Sequence, residues 1–210
     1  GLGHFHLKPL ILQFCKAHPD LKLRLLINDR IHDLVASQVD LAIHVTSTPL
    51  EDHVATRVCD IHWGLFCTPD YLSQLPKAVR QPVDLKQARL ITPLNQPSRI
   101  EFRSGGAAIP ELVQCEPFIQ SGDYQFLFNA AMQSLGVVLL PNYAVRQAME
   151  QGQLVQLLGE HRVKGFGDGL YVVRAPNRQP SAATIALIDM LTTSIRQLAP
   201  GWDLQSGDAR

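Results

Sequence analysis

Asp40 and His44 stand four residues apart in DLAIHV (40–45), and their types are those of a proton-transfer pair. Strand alternation puts Asp40, Ala42 and His44 on one side, with Leu41, Ile43 and Val45 on the other. Residues so spaced along a strand lie roughly 13 Å apart, too far for an acid and a base in contact. The pair reads as a structural aspartate at the start of a strand and a cleft-facing histidine near its carboxyl end. Open α/β sheets bind ligands at that end.

The other chemical candidates are weaker. His4 and His6 flank Phe5, and on a helix their rings diverge, so two partly exposed histidines are expected there and no metal site. G-x-G occurs at Gly1–Gly3 and Gly167–Gly169 without the third glycine of a phosphate-cradling loop. A serine nucleophile needs a sharp turn of the G-x-S-x-G kind, which Ser121-Gly122-Asp123 lacks. That SGD step reads instead as a helix cap with exposed backbone N–H groups, suited to a ligand carboxylate or phosphate. Cys15, Cys59, Cys67 and Cys115 lie far apart in apolar settings and read as core thiols of a reducing, cytoplasmic protein. No catalytic residue, metal or cofactor is expected.

Composition sets the bounds. With 46% hydrophobic residues in 210, the chain can bury a core without staples. Its apolar runs, such as LGVVLLP (135–141), are far shorter than the roughly 20 residues of a membrane helix. Lys and Arg number 19, as do Asp and Glu, with neither sign segregated, so this chain lacks the basic footprint of a DNA-binding surface. It starts at Gly1 and enters a helical pattern almost at once, so an upstream segment is expected.

The elements that must position these residues follow from periodicity. Leu7, Leu10, Ile11, Phe14 and Cys15 predict a helix over 5–17. Alternation in LKLRLLI (21–27) predicts a strand, then a helix capped by Asn28 or Asp29, then the strand 40–45, a unit that favours a parallel pair. Strands are expected at 54–59, 61–67, 89–92, 113–119, 137–140, 154–158 and 169–175. Further helices are expected from Asp123 to Gly136, from Asn142 to Gly152 and from Ser181 to Leu198, with a frayed tail beyond Pro200. This inventory is α/β.

HLKPLILQFCKAHPDLKLRLLINDRIHDLVASQVDLAIHV, then ATRVCDIHWGLFCTPDYLSQ, PVDLKQARLI, SGDYQFLFNAAMQSLGVVLLPNYAV, QGQLVQLL and IDML follow one another in order. This succession resembles the effector-binding domain of LysR-type transcriptional regulators over residues 4–198. The resemblance implies two Rossmann-like α/β subdomains joined by crossing strands, periplasmic binding protein type 2-like. Their expected spans are 1–66 with 170–199, and 67–169, followed by a C-terminal tail at 200–210. It further implies a winged helix-turn-helix upstream, absent from this chain, so that DNA is met only through that missing domain. His44 stands where the family often has arginine, and the family's first strand has no counterpart.

Carried over position by position, the resemblance implies an effector cleft lined by Gly1, Leu2 and Gly3 before the first helix, by Asn28 and Asp29, and by His44, Val45 and Thr46. From the other subdomain it implies Thr92 and Pro93, the turn Ser121, Gly122 and Asp123, and the step Pro141 to Tyr143. The expected function is to bind a small anionic metabolite between the subdomains and so control DNA binding and transcription by the full-length protein. Homodimers or tetramers built on helices 5–17 and 123–135 are implied, and no membrane partner. A solute-binding protein of a transport system with the same fold is the alternative; an enzyme on this scaffold, a dehydratase or transferase, comes third.

Overall fold

A computed structural model describes residues 2–27, 34, 38–49, 53–94, 96–104, 109–175 and 179–204. It divides into a terminal unit, Leu2–Ile61 with Gly167–Gly201, and a central unit, His62–Phe166 with the segment from Trp202.

The chain begins in the terminal unit. A π-helical stretch, Gly3–Leu7, runs into α1 (Lys8–Ala17), which buries Ile11 and Phe14. The helix thus starts at residue 2, where a loop was expected before a helix over 5–17, and Leu2 is buried. Residues 21–27 form no strand, which corrects the expected parallel unit: Leu23, Leu25, Leu26 and Ile27 are 40–50% exposed. The alternation there marks an apolar face without marking a ladder. Of the following helical pattern only Leu34 among residues 28–37 is described, and it is buried against Ala42, Tyr171 and Val173. Then come β1 (Ala42–Thr46) and β2 (Val54–Asp60).

At His62 the chain enters the central unit with β3 (Trp63–Cys67), α2 (Pro69–Ser73) and, after a 3₁₀ segment at Pro82–Gln87, β4 (Leu90–Pro93). The single strand expected at 113–119 is two, β6 (Glu111–Gln114) and β7 (Pro117–Ser121), preceded by an unforeseen β5 (Arg99–Ser104). Then follow α3 (Tyr124–Met132), β8 (Val137–Pro141), α4 (Asn142–Glu150), β9 (Val155–Leu157) and the short β10 (His161–Val163). The sheet order is β6-β5-β10-β3-β8-β4-β7, with β9 also on β3. β8 is buried at every residue because it runs between β3 and β4 and both its faces are covered, as its unbroken apolar run required. Phe66, Ile91, Leu127, Val138, Leu140 and Val145 meet in one core.

The chain returns to the terminal unit through β11 (Gly169–Arg174) and α5 (Ala182–Leu198). β11 lies between β1 and β2 and is antiparallel to both, so the neighbour of β1 is β11 and not an early parallel strand. Two glycines of this return have no room for a side chain. A Cβ on Gly165 would fall inside the indole of Trp63, and one on Gly167 would lie 2.6 Å from the backbone of Thr46. Gly167 and Gly169, one of the two glycine pairs first tested as a phosphate loop, are packing residues.

The last described residues correct the expectation of a frayed tail. Trp202 is 5% exposed, its ring 5.6 Å from that of Tyr143, and Leu204 packs on the central core. A tryptophan covers enough area to seat a short segment that shows no periodicity.

Candidate functional site

In the central unit, β4 is parallel to both β7 and β8, so all three strands end on one side of the sheet. β7 hands over to α3 through Ser121-Gly122-Asp123, and β8 hands over directly to α4 at Pro141–Asn142. The residues expected from this unit therefore occupy adjacent strand ends: Pro93 is the register partner of Ser121, and Thr92 of Gln120. Carboxyl ends of parallel strands next to helix amino termini form the usual ligand position of α/β sheets.

The hydrogen bonds there are specific. Thr92 is 2% exposed, and its Oγ1 accepts from Gln120 Nε2 at 3.2 Å. Leu94 N–H donates to Ser121 O at 3.0 Å, tying the strand ends together. The SGD turn caps itself: Asp123 N–H donates to Ser121 Oγ at 3.0 Å, and Asp123 Oδ1 accepts from Gln125 N at 2.9 Å and Phe126 N at 3.3 Å. This changes the expectation of exposed N–H groups waiting for an anion. Two of the first donors of α3 already hold a carboxylate of the chain itself. Space above the turn is open, since a Cβ on Gly122 would meet nothing within 4 Å.

Pro141 and Tyr143 are both buried, and the Tyr143 ring faces Trp202. Between them Asn142 is 7% exposed; its N–H donates to His62 O at 2.9 Å, while its Oδ1 is buried without a partner among the described residues. An unpaired buried acceptor is costly, by about 1–3 kcal/mol, and calls for a donor. Gln120 was not singled out in the sequence, and Asn142 entered the site only as the middle of the step Pro141 to Tyr143. Their signals were an amide residue directly after a strand-ending proline and one directly before the SGD turn.

In the terminal unit, His44, Val45 and Thr46 lie in the carboxyl half of β1, opposite Tyr171, Leu170 and Gly169. All three are partly exposed. Thr46 Oγ1 accepts from Thr48 N at 3.1 Å and donates to Thr48 O at 3.0 Å, so its hydroxyl shapes the turn that follows. Next to them, Arg57 donates to Asp60 Oδ1 at 2.8 Å and to Tyr171 Oη at 2.7 Å, which raises its pKa. Gly3 sits in the first helical stretch, where a Cβ would come to van der Waals distance of Ile27, 3.8 Å. Gly1, Asn28 and Asp29 lie outside the described residues.

Among the described residues no three His, Cys, Asp or Glu side chains gather as a metal site. Among the described residues no helix is long and apolar enough to cross a membrane.

Residues 1–196 match the family model described as the LysR substrate binding domain. Among curated proteins, the probable HTH-type transcriptional regulator LtrA of Klebsiella pneumoniae is 27% identical over 204 residues, 96% of this chain and 65% of that protein. The HTH-type transcriptional regulator PtxR of Pseudomonas aeruginosa is 26% identical over 189 residues, 89% of this chain and 59% of that protein. The chain thus spans less than two thirds of these relatives. Of solved structures, full-length AphB of Vibrio cholerae superposes with a TM-score of 0.79 at 19% identity, covering 92% of this chain and 65% of AphB. The regulatory domain of CrgA from Neisseria meningitidis gives 0.76 at 17% identity, covering 92% and 93%. The fold is accordingly periplasmic-binding-protein type 2-like, and the chain belongs to the LysR substrate-binding domain family.

Proposed function

We propose that the chain is the effector-binding domain of a LysR-type transcriptional regulator, and that binding a small metabolite controls DNA binding and transcription by the full-length, cytoplasmic protein. The observation that carries this reading is the alignment of three parallel strand ends, β4, β7 and β8, beside the starts of α3 and α4. Thr92, Pro93, Ser121, Gly122, Asp123, Pro141 and Tyr143 supply one set of effector contacts, with Gln120 and Asn142 added to it. Leu2, Gly3, His44, Val45 and Thr46 of the terminal unit, with Gly1, Asn28 and Asp29, supply the other. The role is binding and not catalysis. The names of LtrA and PtxR, both regulators, favour it over a transport-type solute receptor. The anionic character first expected of the effector is set against the Asp123 carboxylate, which favours a ligand that brings hydrogen-bond donors to this turn.

The domain pairs as a homodimer, through unlike patches that meet twice about a two-fold axis. The helices 5–17 and 123–135 carry them: Leu12 on α1 is 69% exposed, and Phe126 on α3 is 50% exposed. Isothermal calorimetry against a panel of small organic acids, amides and sugars tests the effector reading. A panel that gives no heat with native protein, alongside a strict monomer by light scattering at high concentration, counts against both parts.

A further inference from the structure

In the central unit, one face of β5, β6 and β10 gathers cations that lie far apart in the chain. On β5, Ile100 and Phe102 point into the core, and Arg99, Glu101 and Arg103 point out. On β10 Val163 is buried, while Arg162, and Lys164 just beyond the strand, are exposed. The registers align these rows: Arg162 stands directly opposite Arg103, and on the other side Leu112 of β6 stands opposite Glu101 and Gln114 opposite Arg99. Four cations thus share the face with one carboxylate. Two further carboxylates flank it and are engaged nearby: Glu160 lies 3.2 Å from His161 Nδ1, and Glu116 accepts from Gln114 Nε2 at 3.3 Å. Glu101 serves two of the four cations, its Oε1 accepting from Arg103 Nε at 2.9 Å and its Oε2 from Lys164 Nζ at 3.2 Å. Arg99 and Arg162 have no ion-pair partner among the described residues. Like charges directly opposite each other weaken an antiparallel pair, so Arg162 facing Arg103 works against the sheet that carries it.

We infer that this face docks an acidic protein segment in extended form, whose carboxylates pair with the arginines. The inference rests on register and charge within the central unit and does not require the effector reading. Arg99 and Arg103, four residues apart on β5, are separated by about 13 Å, the spacing of residues i and i+4 in an extended segment laid along the strand. Carboxylates at those two positions meet guanidinium groups, which hold a carboxylate by two parallel N–H···O bonds, and Arg162 adds charge at the Arg103 end. The residue between them, i+2, faces Glu101 and Leu112, the latter 55% exposed, so an apolar side chain fits there and a third carboxylate is repelled. Nucleic acid fits less well. An exposed leucine in the middle offers a phosphate nothing, and the outward rows of these three strands hold no aromatic ring on which a base could stack.

The test titrates the isotope-labelled chain with the end-blocked peptide Glu-Glu-Ser-Leu-Ser-Glu-Glu and follows amide chemical shifts at low salt. Docking predicts saturable shifts that cluster at Arg99–Arg103, Leu112–Gln114 and Arg162–Lys164, and that weaken as ionic strength rises to about 0.5 M. Arg162→Glu sets a carboxylate opposite Arg103; it should melt no lower than the native chain and bind the peptide about fivefold more weakly or worse. Arg99→Gln, at an exposed position, should also weaken binding and gives the same reading if Arg162→Glu fails to fold. No saturable shift on this face at low salt, or equal affinity in the native chain and the arginine variants, overturns the inference. An oligothymidylate that moves the same amides at lower concentration than the peptide overturns the choice of partner.

Discussion

Replacing Asp123 separates its two roles, as the cap of α3 and as a charge beside the strand ends. Its Oδ1 accepts from Gln125 N at 2.9 Å and Phe126 N at 3.3 Å, and the helix it starts buries Leu127, Ala130 and Ala131 in the central core. Asp123→Ala leaves both donors without that partner and is expected to cost about 1 kcal/mol, within a range of roughly 0.5–2. For a chain of 210 residues this lowers the melting temperature by roughly 2–4 °C per kcal/mol. Asp123→Asn keeps an amide oxygen in the same place and removes only the charge, so its melting temperature should stay within a degree or so of the native value. Binding divides differently, because both variants remove the negative charge. A carboxylate effector should gain about threefold to fivefold in affinity with Asp123→Asn, corresponding to about 1 kcal/mol between nearby exposed charges, while a neutral analogue gains nothing. Differential scanning calorimetry and titration calorimetry on the three proteins read both effects. Equal destabilisation by Asn and Ala refutes the capping role, and weaker carboxylate binding by Asp123→Asn refutes the electrostatic one.

Acid stability should report two carboxylates. Burial pushes Glu101 upward, but Arg103 Nε at 2.9 Å and Lys164 Nζ at 3.2 Å outweigh it and hold its pKa below the usual value; backbone N–H groups of Arg80 and Gln81, each 3.0 Å from Oδ2, do the same for Asp84. A carboxyl depressed in the folded state stabilises above its unfolded pKa, about 4, and loses that stabilisation as pH falls through its folded value. Glu101→Gln and Asp84→Asn should therefore be less stable than native protein at pH 6 and converge with it in urea titrations as the pH falls through the depressed folded-state values. Burial pushes the Cys67 thiol to about 12, so it stays protonated at neutral pH; a thiol reagent should label Cys67 only on unfolding, with the partly exposed Cys15 and Cys59 reacting earlier. Gly167→Ala forces a Cβ to within 2.6 Å of the Thr46 backbone and should destabilise by about 1–3 kcal/mol, measured by chemical denaturation; a neutral variant would contradict the close packing of this return.

The sequence disclosed most where one physical rule acted alone. VVLL (137–140) is apolar throughout because β8 is covered on both faces, and Asp123 caps α3 because its side chain serves the next backbone donors. Where two arrangements share one pattern, it misled: alternation in 21–27 describes a row of exposed leucines as readily as a buried strand face. RIEFRS (99–104) alternates properly, with Ile100 and Phe102 inward, yet its charged outer residues disguised a strand. β10, at three residues, is too short to carry a period, and Trp202 is a single residue whose burial depends on Tyr143, far away in sequence. In the candidate site the positions of the turns were legible, because strand and helix ends leave local signals. The bonding between elements was not: that Gln120 reaches Thr92, and that Asn142 keeps an oxygen unpaired among the described residues, depend on neighbours brought in by β4 and β8.

The most direct test of the effector reading is a map of amide chemical shifts during titration with whichever small metabolite gives heat in the calorimetric panel. Binding at the strand ends predicts that the amides that move cluster at Thr92–Leu94, Gln120–Tyr124 and Asn142–Tyr143, with a second group at His44–Thr46, and that Thr92→Val weakens binding while the fold is kept. Saturable shifts confined to other surfaces, with Thr92→Val binding as tightly as the native domain, would contradict it.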